Sequence, residues 1–278
     1  MRYGLIDVEW ILHTLAVVRD VADSNQSFLG VSEKGRGAVE SMVLARHFMH
    51  RHVYQHHTRL ICDAMVSRAV ELSNKDHALD EALFHYRSEI DYLMQYLKFD
   101  DDGLLSMLRE SASEGASHIA ARLQSRDLFK ECYSIEISAA EFPHAPVLNK
   151  LLSLTNDDMK RYEQEIAEGV GMEPALVILS RQELTKPTYR GTPSQGLLDA
   201  KSLLIVREDG TARELDQISP IFNGLRTQIP VVLSCYAPTE GQSEAQQSEA
   251  RTKIRNKASD VVAAIGGVIV WICSREFS

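Results

Sequence analysis

Residues 35–63 read GRGAVESMVLARHFMHRHVYQHHTRLICD, and this segment indicates the fold class. Its apolar residues recur at spacings of three and four, as they do on the buried face of an amphipathic helix. The pattern continues beyond the segment and predicts one helix from residue 38 to about residue 72, the longest uninterrupted helix of the chain. A glycine-rich basic loop, residues 30–37, precedes it.

This region is locally basic in an acidic chain. Residues 30–59 contain five Lys or Arg against two acids, and five of the ten histidines, whereas the whole chain of 278 residues has a formal net charge of −9. At the helical rotation of about 100° per residue, Arg46, His50, Tyr54 and His57 fall on one stripe. A guanidinium fork and imidazoles bind phosphate oxygens, and a tyrosine ring packs against a base or sugar. The stripe indicates either a wall of a nucleotide pocket or a solvated helix face, and spacing alone favours the solvated face.

Two further interpretations concern metal and phosphate. His52 and His56, at i and i+4, could share an ion, but no carboxylate or cysteine stands beside them. The loop at residues 30–37 could bind phosphate through backbone amides, with Lys34 and Arg36 adding charge. It matches neither the Walker A pattern nor Gly-x-Gly-x-x-Gly, so a flexible basic turn is favoured.

The remaining pattern predicts a mainly α region, residues 1–125, followed by a smaller α+β region, residues 126–278, with a short mixed or antiparallel sheet. Further helices are expected at residues 7–19, 79–97, 101–110, 113–123, 156–167 and 248–264. Strands are expected at residues 132–137, 175–179, 203–206, 229–235 and 268–273. Turns are expected at residues 20–27 and 208–211, and a mobile loop at residues 237–247.

Composition limits the class of protein. With 44% hydrophobic residues, the chain is long enough to bury a substantial core. The acidic balance argues against general nucleic-acid binding, which requires a basic surface. The four cysteines are widely spaced, which favours a reducing cytoplasm. No apolar run is long enough for a membrane span, so we expect a soluble protein without a membrane partner. Helical spacing starts at Leu5 without a leader, as if the chain began within a larger unit.

Residues 35–63 resemble a signature of the HD-domain deoxynucleoside triphosphate triphosphohydrolases, which include bacterial dNTPases and the vertebrate SAM-and-HD-domain enzyme. Residues 2–7, 97–105 and 126–130 are similar to other landmarks of that family. The resemblance covers residues 1 to about 135 well and the rest in outline. It implies that residues 1–125 form the C-terminal part of an HD-type helical bundle.

The resemblance also implies roles for individual residues. Arg46 would contact the substrate triphosphate with His50 beside it, and Tyr54 and Gln55 would line the pocket for base and sugar. Effector or phosphate binding is implied for Lys34, Arg36 and His56. The family member with the best-described effector site has Arg where Ser32 stands and Asn where Ala38 stands, so effector regulation is implied less strongly than substrate binding.

The metal-binding half of the family's active site has no counterpart in this sequence. The family uses an upstream His, a consecutive His-Asp pair and a later Asp, whereas this chain contains only the reversed order, Asp76-His77. The ligands would lie before Met1, so we expect no catalytic residue here. A divalent metal (Mg, Mn, Fe or Co) is expected only in the complete site. A truncated gene, an internal start and a natural split all remain open.

The expected function is therefore the substrate-binding and oligomerisation portion of a dNTP-hydrolysing enzyme. Its expected partners are deoxynucleoside triphosphates and either further copies of the chain or a separate HD-bearing chain. The alternative is a non-catalytic nucleotide-binding or assembly subunit of such a chain.

Overall fold

The structure is a computed structural model that describes residues 6–19, 27–73, 89–97, 100–137, 145–183, 203–222, 231–239, 241 and 243–266. The chain forms two compact units, each assembled from separate segments. The first comprises residues 1–56, 138–143 and 183–230, and the second comprises residues 57–137, 144–182 and 231–278. The domain boundary expected near residue 125 falls within the second unit and stays a prediction.

Helices and short strands alternate along the described chain. Helices and strands occur in the order α1 (Val8–His13), β1 (Leu15–Arg19), β2 (Ser27–Ser32), α2 (Arg36–Met49), α3 (His57–Ser73), α4 (Ile90–Tyr96), α5 (Asp101–Arg109), α6 (Glu114–Ser125), β3 (Lys130–Ile137), α7 (Ala145–Leu152), α8 (Asn156–Val170), β4 (Ile178–Glu183), β5 (Leu204–Val206), β6 (Ala212–Glu214), α9 (Leu215–Ile218), β7 (Val231–Ala237) and α10 (Glu244–Gly266). A π-helical turn, His50–Tyr54, follows α2. None of the helices in the described residues is long and apolar enough to cross a bilayer.

The first unit contains a four-stranded sheet in the order β1-β2-β5-β6. Strands β1 and β2 are antiparallel, with Val17 opposite Leu29, and β2 pairs in parallel with β5, with Val31 opposite Ile205. Strands β5 and β6 form the hairpin predicted at residues 208–211, where Gly210 takes a φ of 82°. The core beside the sheet is formed by Val31, Val39, Val43, Ile205, Leu215 and Phe222.

The second unit contains a three-stranded sheet in the order β3-β7-β4. Strands β3 and β7 are antiparallel, and α10 packs against β3, α8 and α7. A second apolar cluster joins α3 and α6, where Met65, Ala69, Leu108, Ile119 and Phe129 are all fully buried. Helix α8 begins with a capping box in which the Thr155 and Asp158 side chains each bind the other's backbone amide.

Several sequence predictions are confirmed. A mainly α chain with small mixed and antiparallel sheets is observed, and the predicted helices at residues 101–110, 113–123, 156–167 and 248–264 correspond to α5, α6, α8 and α10. The strands predicted at residues 132–137, 203–206 and 229–235 correspond to β3, β5 and β7. The strand predicted at residues 268–273 lies outside the described residues, as do most of the helix at residues 79–97 and residues 20–26.

The helix predicted at residues 7–19 is wrong beyond His13. The Thr14 hydroxyl donates to the Trp10 and Ile11 carbonyls at 2.7 and 3.1 Å, and β1 begins immediately afterwards. Leu15, Val17 and Val18 suit a strand as well as a helix. Pairing with β2 decides between the two states, and this pairing makes the first 125 residues less uniformly helical than expected.

The single helix expected from residue 38 to residue 72 is also wrong, because α2 ends at Met49 and α3 begins at His57. The backbone N–H of Gln55 donates to the His50 carbonyl at 2.9 Å, an i to i+5 bond that closes the π turn. Gln55 then leaves the helical conformation at φ −109° and ψ 25°.

Two loops were also predicted incorrectly. Residues 30–37 form the end of β2, a 3-10 turn (Glu33–Gly35) and the start of α2, and not a flexible loop. Within residues 237–247, α10 already begins at Glu244. The strand expected at residues 175–179 begins later than predicted: a 3-10 turn (Pro174–Leu176) comes first, and β4 starts at Ile178.

Candidate functional site

The predicted substrate-binding residues lie where α2 ends in the first unit. Arg46 is in the last turn of α2, and His50 and Tyr54 are the first and last residues of the π turn. Arg46 and Tyr54 are exposed, and His50 is half-buried. Among the residues that the structure describes, the guanidinium of Arg46 has no hydrogen-bond or ion-pair partner. Because Arg46 is exposed, an anion in solvent can reach its side chain.

Two pairs of rings follow Arg46 in the sequence. The rings of His50 and Tyr54 lie with centroids 5.0 Å apart and planes inclined at 59°. The rings of Phe48 and His52 are stacked, with centroids 6.2 Å apart and planes at 28°. Ring contacts of this kind hold side chains in fixed orientations. The turn thus presents imidazoles and aromatic rings in defined positions at the surface.

Phe48 is a residue whose position the sequence pattern did not predict. The amphipathic pattern assigned Phe48 and Val53 to the buried face, yet they are 45% and 43% exposed. Phe48 lies within α2, about 180° around the helix from the buried Val39, whereas Val53 lies in the π turn. A π turn contains more residues per turn than an α-helix, so it shifts the phase of the residues that follow α2. No local signal in the sequence marks this change, because histidine occurs on both buried and exposed faces.

Positive charge accumulates on the π turn. The pKa of His47 is lowered, first by partial burial and then by the nearby Arg51, His50 and His52. Burial and neighbouring cations both penalise a protonated imidazole. Partial burial and these basic neighbours therefore both favour the neutral form of His47.

Gln55 and His56 follow the π turn at the end of the first unit. Gln55 is half-buried and His56 is exposed. His57, which helical spacing placed on the same stripe as Arg46, is instead the first residue of α3 in the second unit. The single helix that would have aligned the four residues is interrupted, and the contact between the His50 and Tyr54 rings is the observed pairing among them.

Lys34 and Arg36 have different surroundings. Lys34 is exposed in the 3-10 turn, and its carbonyl accepts a hydrogen bond from the Trp10 indole at 3.1 Å. Arg36 donates to Glu40 at 3.0 Å and to the carbonyl of Ile218 at 2.9 Å. The hydrogen bond with Glu40 is the main cause that raises the pKa of Arg36. Arg36 therefore joins the start of α2 to α9, and phosphate binding by its side chain stays a prediction.

The glycine of this turn is explained by packing. A Cβ on Gly35 would lie 2.1 Å from the Thr14 hydroxyl oxygen and 2.5 Å from Val31 Cγ1. Such distances are far below van der Waals contact, so only glycine fits where the 3-10 turn passes α1 and β2. Its presence needs no phosphate ligand.

The donors that a divalent metal requires are not assembled in the described part of the chain. No group of three His, Cys, Asp or Glu side chains there is arranged to hold an ion. The His52 and His56 pair gains no third ligand, and a metal site in proteins commonly needs three or four. The described residues thus do not fit the metal centre that the resemblance implies for the complete site.

Comparison with known proteins places the chain within a family. Residues 6–260 match the model of the HD associated region. An uncharacterized protein of Methanocaldococcus jannaschii is 24% identical over 255 residues, which are 91% of this chain and 48% of that protein.

Solved structures share the fold. A phosphohydrolase from Bacteroides thetaiotaomicron superposes with a TM-score of 0.50 at 19% identity, covering 83% of this chain and 56% of that one. A hypothetical protein from Aquifex aeolicus gives a TM-score of 0.50 at 18% identity, covering 92% of this chain and 53% of that one. The chain spans about half the length of these proteins. Because the family model matches residues 6–260, nearly the whole chain, the protein belongs to the family of the HD associated region.

Proposed function

We propose that this chain supplies the substrate-binding portion of an HD-family enzyme that hydrolyses deoxynucleoside triphosphates to deoxynucleosides and triphosphate. Family membership supports the relation to phosphohydrolases. The resemblance of residues 35–63 to the dNTP-hydrolysing members suggests the substrate. We also propose the cytoplasm as its compartment, since Cys62, Cys132 and Cys235 are all free thiols.

The observation that carries the proposal is the exposed Arg46 in the last turn of α2, followed directly by the π turn with the ring pair of His50 and Tyr54. A guanidinium binds two phosphate oxygens through its planar fork of donors. His50 would add a hydrogen bond to the phosphate chain, and the Tyr54 ring would pack against the base or sugar. Gln55 would contact the base or sugar. A second surface, for an effector or for phosphate, would include Lys34, Arg36 and His56.

We assign binding and orientation, and not hydrolysis, to the residues of this chain. A phosphate held by Arg46 has its negative charge partly neutralised, which lowers the repulsion that an attacking oxygen meets. The divalent metal of the family would be held outside the described residues, by an HD-bearing segment or a separate HD-bearing chain.

The second candidate function is a nucleotide-binding or assembly subunit without catalysis. It agrees with the described residues' lack of a three-ligand cluster, as the first candidate also does. The two candidates differ in one respect: an HD-bearing partner restores hydrolysis in the first and has no effect on turnover in the second.

Binding to the 278-residue chain tests the proposal directly. Inorganic tripolyphosphate and each of the four dNTPs would be titrated calorimetrically into the wild-type chain and into Arg46→Ala. Loss of a charge-assisted contact should weaken binding about tenfold or more. Arg207→Ala is the matched control, because Arg207 is exposed in the same unit on the β5-β6 hairpin. Equal affinities of wild type and Arg46→Ala would refute the binding role.

A further inference from the structure

Two arginines of α10 bind the backbone of β3, an outer strand of the second unit's sheet. Strand β3 has a register shift between Glu131 and Tyr133, so Cys132 has no partner residue in β7. An extra residue of this kind interrupts the regular ladder of hydrogen bonds. Nε of Arg251 donates to the Glu131 carbonyl at 2.9 Å, and Nε of Arg255 donates to the Cys132 carbonyl at 3.4 Å. The two guanidinium groups are therefore anchored on consecutive residues of β3.

The two positive charges lie close to the same sulfur atom. Burial raises the pKa of the Cys132 thiol to about 11, whereas Arg251 and Arg255 both act in the opposite direction. Residues four apart also lie on one face of a helix, with their Cβ atoms about 6 Å apart. Like charges at such a spacing repel each other, and an anion between them would remove the repulsion.

The chain neutralises the other two cations of α10 but not these two. Nζ of Lys253 pairs with Glu249 at 2.9 Å, and Nζ of Lys257 pairs with Glu165 at 3.1 Å. In the part of the chain that the structure describes, neither arginine forms an ion pair with a carboxylate, and their Nη atoms have no hydrogen-bond partner. The four N–H donors on the Nη atoms of each arginine are thus available to a ligand.

Phosphate is the ligand chemistry that fits two neighbouring guanidinium groups. Its oxygens accept paired hydrogen bonds from the planar fork of each guanidinium, and its negative charge balances theirs. An extended nucleic acid requires a wider basic surface, whereas both lysines of α10 are ion-paired and the chain has a formal net charge of −9. Two available cations therefore suit a small molecule that carries phosphate.

We propose that Arg251 and Arg255 bind a phosphate group of a small molecule through their Nη atoms, while Nε of each stays on β3. This site belongs to the second unit, whereas residues 34–56, which contain the proposed nucleotide-binding and effector-binding residues, belong to the first. It uses none of those residues and does not rest on the proposed function. A bound phosphate would also hold α10 against the start of β3, because its two ligands are anchored there.

Isothermal titration with inorganic pyrophosphate tests this site. The starting protein is the 278-residue chain with Arg46→Ala, so that the proposed nucleotide contact does not contribute. Pyrophosphate should bind saturably, and adding Arg251→Ala or Arg255→Ala should weaken its binding about tenfold or more, because each change removes charge-assisted hydrogen bonds. Lys253→Ala is the matched control: it removes one positive charge from the same helix, but that charge is already paired, so affinity should change by no more than about twofold.

Two further measurements separate binding from folding. Arg251→Lys keeps the charge but loses the fork, so its affinity should lie between those of the starting protein and Arg251→Ala. Urea unfolding checks that each variant is folded. Without any variant, the backbone amides of residues 130–133 should exchange hydrogen more slowly when pyrophosphate is added to the wild type.

Several results would overturn the proposal. They are a lack of saturable binding at millimolar pyrophosphate, an equal loss of affinity in Lys253→Ala, and unchanged hydrogen exchange at residues 130–133. Tighter binding of a short single-stranded DNA than of pyrophosphate at the two arginines would also overturn it. Loss of all pyrophosphate binding in Arg46→Ala alone would exclude this site and leave the proposed function intact. Binding of dNTPs that ignores Arg46→Ala, with pyrophosphate binding that depends on Arg251, would do the reverse.

Discussion

Among the described glycines of the first unit, Gly35 has the least room for a side chain. We expect Gly35→Ala to destabilise the protein by about 1–3 kcal/mol, because the new methyl group must displace the Thr14 side chain and Val31. Urea unfolding at constant pH measures the loss. Gly37→Ala is the control: a Cβ at Gly37 meets nothing within 4 Å, so the free energy of unfolding should stay unchanged or rise slightly. Equal effects of the two changes would contradict the packing explanation.

The candidate binding residues were predictable as residue types but not as a surface. A guanidinium, imidazoles and a phenol at helical spacing indicate phosphate chemistry without any structure. The exposure of Val53 and the end of the regular helix before His57 depend on the π turn. The hydrogen bond from the Gln55 N–H to the His50 carbonyl closes that turn. The polarity pattern does not show whether this i to i+5 bond or the ordinary i to i+4 bond of an α-helix will form.

Among the elements, α3, α8 and β4 are joined by one buried ion pair. Nη2 of Arg68 donates to both carboxylate oxygens of Glu163 at 2.6 Å, and the backbone N–H of Leu179 donates to Oε1 at 2.8 Å. Glu163 is 4% exposed. Burial still raises its pKa, although Arg68 and Leu179 act in the opposite direction.

We expect Arg68→Met to destabilise the protein by about 3 kcal/mol at neutral pH, because the carboxylate of Glu163 would stay buried without its cation. The variant should raise the pKa of Glu163 further. A carboxyl group whose pKa is higher in the folded than in the unfolded state lowers the free energy of unfolding. This cost is complete above the folded-state pKa, and it falls to zero as the pH drops to the unfolded-state pKa. The deficit relative to wild type should therefore shrink as the pH is lowered from neutral towards the ordinary pKa of glutamate, about 4.3.

Arg161→Met serves as the control for this prediction. Arg161 pairs with Asp158 on the surface of α8, and its side chain is 67% exposed. Exposed pairs of this kind contribute little to stability. Urea unfolding should show no change for this variant at either pH. A deficit of Arg68→Met that stays constant across the pH range would exclude the ionised Glu163 as its cause.

The element predictions succeeded where local signals and packing agree. Helix α8 has a capping box at Thr155 and a left-handed Gly171 at its end, and both are visible in the sequence. Residues 15–19 show the opposite case. Their apolar residues fit a helix continuing from α1, and only the hydrogen bonds with β2 make them a strand.

For the whole molecule, the decisive prediction concerns catalysis. The 278-residue chain alone should release no triphosphate from any dNTP with Mg, Mn, Fe or Co, because its described residues offer no three-ligand group. Chromatographic detection of triphosphate provides the measurement. Metal-dependent turnover that Arg46→Ala abolishes would contradict the prediction and place the metal centre within this chain.

The sequence by itself determined the family resemblance, the mainly α character with a small β component, and the chemical types at residues 46–56. These features depend on composition, local spacing and caps, which act between neighbours in the chain. Only the tertiary structure decided that residues 15–19 form an edge strand, that residues 50–54 form a π turn, and that Gly35 touches Thr14. Each of these depends on hydrogen bonds or steric contacts between residues that are not neighbours in the local pattern. Their energies are similar in size to the local propensities, so the local pattern alone could not show which conformation is more stable.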